Sequence, residues 1–211
     1  MGVYIPTTEH YFGLSNSPEG VERGPTDDNK YDFVLYEFRK FVRLCFQANP
    51  NVLCMLWLKP THYLVRDEVG QELIAMRDKF LSKQLYHSFG GYAHGQLKRM
   101  THGNYEGYMS KKRRARYEEH GYDCKNASHM IRLLRMGIEV LTTGELQVMR
   151  PDASELLDIK NGAWSLAKVH AEADRLRTLL DEVFVRSSLP AQPDREGIEC
   201  WAVATLKRRL R

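Results

Sequence analysis

The spacing of apolar residues changes character near residue 37. Residues 2–5 (GVYI) and 31–37 (YDFVLYE) are β-branched and aromatic, and they predict two strands, the first closed by Pro6. In EFRKFVRLCFQAN (37–49), Phe38, Phe41, Val42 and Cys45 recur at helical spacing, and Asn49-Pro50-Asn51 stops that helix. VLCMLWL (52–58) is a continuous apolar run between turn signals and predicts a buried strand. From Asp67 the helical period persists almost to the end of the chain. It predicts a helix opened by Ser82 and carrying Gly90-Gly91, a charged helix over 110–121 ending at Gly121, and a helix over 123–142 capped by Asp123 and closed by Gly144. A long helix begins at Ser165, and a terminal helix ends in KRRLR. Residues 15–30 read as a loop and SSLPAQPD (187–194) as a linker. The expected class is α+β, with an α/β core over 1–66, a helical region over 67–187, and a linker and basic helix over 188–211.

Composition narrows this only a little. The chain has 211 residues, 43% hydrophobic and 27% charged, as in an ordinary globular protein with a sizeable core. A net charge of +4 is compatible with nucleic acid but argues for it only where cations cluster. The four cysteines (45, 54, 124 and 200) form no C-x-x-C pair, and His120, Cys124 and His129 fit no common zinc spacing. A reduced, cytoplasmic protein is expected. No apolar run approaches the roughly 20 residues of a membrane span, and the N-terminus lacks the pattern of a signal peptide.

The cations do cluster. At 100° per residue, Lys125, Ser128, His129, Arg132, Arg135 and Glu139 share one sector of the helix over 123–142, opposite Ala127, Leu134 and Leu141. One reading is a solvated face with Glu139 pairing Arg135. The other is a phosphate site, in which arginine gives paired planar donors, lysine a point charge and histidine a tunable donor. Upstream, Lys111, Lys112, Arg113, Arg114 and Arg116 form a second basic group. It suits a nucleic-acid backbone or a triphosphate, or else a solvated segment.

Several separated strings carry a resemblance. GVYIPTTEHYFGL, YDFVLYEFRKFVRLCFQANPNVL, GYAHGQLKRM and GYDCKNASH are followed by KNASHMIRLLRMGIE, TTGEL and RPD. In this order, from residue 2 to about 180, they resemble the nucleotidyltransferases of the DNA polymerase β superfamily found in bacteria and phages, some associated with RNA repair. The resemblance implies a small mixed sheet with helices, followed by a helical region. It implies transfer of a nucleoside monophosphate from a nucleoside triphosphate to a hydroxyl acceptor such as RNA. Two Mg²⁺ ions held by three carboxylates would serve that chemistry. Asp32 matches the third carboxylate, as a catalytic and Mg²⁺-binding residue; the alternative is a loop-end residue capping a turn. On the phosphate reading of the two basic groups, Lys125, Ser128, His129, Arg132 and Arg135 are the candidate substrate-binding residues, and Lys111, Lys112, Arg113 and Arg114 the candidate nucleic-acid contacts.

The chain departs from the family in two places. The Gly-Ser turn and Asp-x-Asp pair that precede a GVYIP-like segment are missing, and Cys54 stands where the family has Glu. Three functions stay open. The first is a transferase, active or clipped at its N-terminus. The second is a non-catalytic module, phage-encoded, binding nucleotide, RNA or a host protein. The third is an assembly unit that dimerises through a sheet edge, unless residues 15–30 cover that edge. Asp32 and the basic ridge at 125–135 are expected to converge on one phosphate pocket.

Overall fold

Glu37 ends a strand and starts a helix with no turn between them. Its amide donates to the Gly20 carbonyl at 2.9 Å, while its carboxylate accepts from the amides of Arg39 at 2.8 Å and Lys40 at 3.0 Å. That carboxylate satisfies two amides that the first helical turn leaves without partners. The computed structural model describes residues 1–8, 20–25, 32–101 and 110–210, apart from the side chains of Thr101 and Lys112. The strand that Glu37 closes is β3 (Asp32–Glu37), and the helix it caps is α1 (Phe38–Phe46). β3 lies between β1 (Gly2–Tyr4) and β2 (Val21–Pro25). β1 runs parallel to β3 with Gly2 opposite Leu35; β2 runs antiparallel with Val21 opposite Tyr36 and Pro25 opposite Asp32.

Two expectations need correction. The stretch read as a loop over 15–30 contains β2. Gly24 and Pro25 hid it, because glycine and proline are poor strand formers, but pairing along β3 supplies what local composition does not. β2 covers β3 rather than β1, so the outer side of β1 carries no strand among the described residues. The apolar run at 52–58 is not a strand. The Asn49 side chain accepts from the amides of Asn51 and Val52, and Pro50 follows as the first helical residue. A short helix α2 (Pro50–Leu53) and a 3-10 turn (Cys54–Trp57) result. Period alone does not separate a short buried helix from a buried strand; the Asn-Pro start decides it here.

The chain divides into two units, one of Met1–Phe80 with Pro193–Arg211 and one of Leu81–Gln192. In the first, α1 buries Phe38, Phe41, Val42 and Cys45, as their spacing requires. Helix α3 (Glu68–Ala75) and the terminal helix (Arg195–Arg209) complete it. The Trp201 ring packs on Phe38 with centroids 5.5 Å apart, and its Nε1 donates to Glu72 at 2.8 Å. The terminal helix therefore belongs with the sheet.

The second unit is helical: α4 (Gln84–Thr101), α5 (Lys111–His120), α6 (Cys124–Thr143), α7 (Ala153–Lys160) and α8 (Leu166–Arg186). α6 is its axis. Asp123 caps it by accepting from the amides of Lys125 and Asn126, and Gly144 ends it with φ 72°. Ala127, Met130, Ile131, Leu133, Leu134, Val140 and Leu141 are all buried along it. Each large side chain among them contributes about 1.5–3 kcal/mol. Gly137 lets α4 and α8 come close: a Cβ there would stand 3.2 Å from both Phe89 and Leu180. Among the described residues, no helix is long and apolar enough to cross a membrane.

Gly90 and Gly91 are different. Both lie inside α4, where glycine costs about 1 kcal/mol relative to alanine. A Cβ on Gly90 would make ordinary contact with Leu180 at 3.6 Å, and one on Gly91 would meet nothing within 4 Å. Packing therefore gives no reason for Gly91. Gly91→Ala should stabilise the protein by about 0.5–1 kcal/mol, read as a raised thermal midpoint. An unchanged or lower midpoint would contradict that.

Candidate anion-binding site

The polar side of α6 divides into two surfaces with different roles. Ser128 donates its hydroxyl to the Leu156 carbonyl at 2.7 Å, which fixes α7 against α6. Arg135 donates to Asp152 at 2.8 Å, Glu155 at 2.5 Å and Glu172 at 3.1 Å. Glu139 pairs with Arg150 at 2.5 Å, and Arg150 reaches back to Asp152 at 2.9 Å. This surface ties α7, α8 and the 144–152 connection to α6. The carboxylates answer Arg135 and Arg150 fully, so Arg135 has little left for an external phosphate. Glu139 pairs with Arg150 rather than with Arg135.

Lys125, His129 and Arg132 make the second surface. Arg132 Nη2 lies 3.1 Å from His129 Nε2. The guanidinium can only donate, so Nε2 accepts and the neutral ring carries its proton on Nδ1. Burial, together with the positive charges of Arg132, Arg99 and Lys125, pushes the His129 pKa down to about 4. Arg99 comes from the last turn of α4 and lies outside both basic groups of the sequence. Nothing in the spacing of a helix over 84–101 announces that a charge at its end acts on His129. Among the described residues, neither Lys125 nor Arg132 has a carboxylate partner. Three cations thus surround a neutral imidazole.

The upstream basic group also divides. Arg113 makes a two-pronged bond to Asp123, at 3.0 Å from Nε and 2.5 Å from Nη2, and reaches Asn126 at 3.1 Å. It thereby anchors α5 to the cap of α6 instead of facing a ligand. Arg116 donates to the Lys160 carbonyl at 3.3 Å. Lys111 and Arg114 are exposed, and the side chain of Lys112 lies outside the described residues.

Asp32 stands exposed at the start of β3, in the other unit, and makes no side-chain hydrogen bond or ion pair among the described residues. Among those residues no group of three His, Cys, Asp or Glu is placed to hold a metal ion. The residues described do not by themselves fit a site for two magnesium ions, which needs several oxygen ligands.

Removing the Arg135 side chain leaves three carboxylates facing one another. Arg135→Ala should cost about 3 kcal/mol, measured by urea unfolding; a loss below roughly 0.5 kcal/mol, that of an ordinary surface change, would contradict its structural role. Acid should act in one direction. His129 falls from its ordinary 6.5 to about 4 on folding, so its contribution is complete above 6.5 and is lost as pH drops toward 4. Burial opposes ionisation of Asp152, but bonds from Arg150 and Arg135 outweigh it; bonds from Arg175 and Arg135 likewise lower Glu172. Both contribute above the ordinary carboxylate range and are lost below it. The urea midpoint should decline from about pH 6.5 downward, and His129→Gln should remove the part of that decline that lies above the carboxylate range. A midpoint that rises with acid would contradict this assignment.

No curated protein and no solved structure matches this chain. A family of the polymerase β superfamily does match, and its description supports a nucleotidyltransferase-like role in RNA repair. The match spans residues 1–204 of 211, and the chain belongs to the RNA repair pathway DNA polymerase beta family, RlaP.

Proposed function

We propose that the Arg99–Lys125–His129–Arg132 surface grips phosphates of a nucleoside triphosphate or of RNA, in a protein built for nucleotidyl transfer in RNA repair. One observation carries the reading: cations converge there around a neutral imidazole, and Lys125 and Arg132 have no carboxylate partner among the described residues. Leaving like charges together costs free energy that a bound polyanion returns.

In the same reading, Asp32 is one of three Mg²⁺ carboxylates, and strand register supports this. β1 and β3 are parallel with Gly2 opposite Leu35, so any residue three positions before Gly2 would run beside Asp32. An Asp-x-Asp immediately preceding the GVYI segment would therefore stand next to Asp32 on the neighbouring strand. Binding is assigned to the cationic surface, and metal chemistry to Asp32 together with carboxylates on the neighbouring strand. Bound together, they would hold the ions that neutralise the triphosphate.

Affinity for single-stranded RNA should fall with salt. Lys125→Ala with Arg132→Ala should weaken it about tenfold or more and flatten the slope of log K against log salt by about 1.4, two phosphate contacts' worth. Equal affinity and slope in a folded double variant would contradict the site. A chain extended at its N-terminus by the Gly-Ser and Asp-x-Asp segments should transfer labelled nucleotide to RNA with Mg²⁺, and Asp32→Asn should abolish transfer. A folded extended chain without transfer would refute the transferase part alone.

A further inference from the structure

The helical unit also contains a cavity of about 320 Å³ between α4, α6 and α8. It lies about half a turn around α6 from Lys125 and Arg132, because Met130 and Leu134 line it. It is thus separate from the surface proposed above. Its size sits at the lower bound of ligand clefts, roughly 300 Å³.

The cavity exists because side chains are missing. Gly90 and Gly91 lie on its α4 wall, and a Cβ at Gly91 would enter open space. The helix therefore carries an unfavourable pair of residues whose effect is to expose flat backbone. Met130, Leu134 and Leu180 form an apolar floor. Tyr86 and Asp181 also line it; Tyr86 stacks on Phe184 with centroids 4.3 Å apart, and donates its hydroxyl to Asp181 Oδ1 at 2.9 Å. That bond uses one carboxylate oxygen and leaves the other for a ligand N–H. Arg177, His87 and His94, all exposed, are lining residues as well. Their donors outnumber the single carboxylate, which favours a ligand with an anionic end.

We propose that this cavity binds a nucleotide unit, with its planar base lying along Gly90–Gly91 over the apolar floor, a ring N–H donating to Asp181, and its phosphate taken by Arg177. Apolar walls, a flat backbone surface, one acceptor and an exposed cation match a base bearing a phosphate better than they match a purely apolar ligand. The unit comes either from a free nucleotide or from one residue of an RNA strand.

Calorimetry on the full chain tests this with nucleoside 5′-monophosphates, the corresponding nucleosides and a single-stranded RNA hexamer. The monophosphates or the hexamer should bind, and which of them does identifies the source. Gly91→Leu fills the open space with a strong helix former, so the fold should persist, while binding should fall about tenfold or more. Arg177→Gln should weaken the monophosphates about tenfold and leave the nucleosides unchanged. In the Lys125→Ala, Arg132→Ala background, where the cationic surface is removed, the monophosphates should still bind, and adding Gly91→Leu should weaken that remaining binding about tenfold or more. No binding left in that background would overturn the proposal while leaving the cationic surface standing. Should Gly91→Leu not fold, the contrast between monophosphate and nucleoside in Arg177→Gln decides. Failure of every nucleotide and of the hexamer to bind at about 5 mM, well above micromolar to millimolar substrate levels, would overturn the proposal. Undiminished binding by folded Gly91→Leu would do the same, as would capture of N-acetyltyrosinamide in preference to nucleotides.

Discussion

Arg135 is the fixed point of the helical unit. Its guanidinium meets carboxylates from the start of α7, from within α7 and from α8, while its own helix supplies the buried apolar stripe on which α4 and α8 pack. The arginine is only 18% exposed, so the ion pairs act in a partly dry setting where each partner needs the others. Once Arg135, Ser128 and Glu139 are engaged in this way, the orientation of α6 about its axis is set. Lys125, His129 and Arg132 stay outside those ion pairs, and the charge of Arg99 at the end of α4 acts on His129. These three residues of α6 are what remains of the polar side after the structural half has been used.

That division explains how one helix carries two kinds of cation. A charge answered by three carboxylates is structural and resists replacement by an outside ligand. A charge held near other cations and a neutral imidazole keeps its field available. The same contrast appears at Arg113, whose two-pronged bond to Asp123 makes it part of the cap of α6, while Arg114 beside it stays at the surface. In the first unit, strand register fixes what stands beside β3. The parallel register of β1 sets Gly2 beside Leu35, while the antiparallel register of β2 sets Pro25 beside Asp32.

Local signals in the chain specify most of the helices. Asp123, Ser165, Ser110 and Asp67 all cap where their chemistry says they should, and Gly121 and Gly144 end helices in the left-handed conformation. The strands β1 and β3 are equally legible. β2 is not, because its residues are strand-like only when β3 is beside them. The run at 52–58 misleads for a different reason: apolar continuity has no period, and the Asn49-Pro50 start outweighs it. At the site, the polar sector of α6 is readable from spacing, but its division is not. Glu155 and Glu172 meet Arg135 across 20 and 37 residues, and the charge of Arg99 acts on His129 from another helix; no local pattern encodes such pairings.

Titration of the His129 ring by nitrogen-detected NMR reads the state of the cationic surface directly. The account predicts a pKa of about 4 in the free protein, with the proton on Nδ1 above it. It predicts a rise of about one unit or more when single-stranded RNA is bound, because a neighbouring phosphate favours the imidazolium. A value near the ordinary 6.5 in the free protein, or no response to bound RNA, would contradict it.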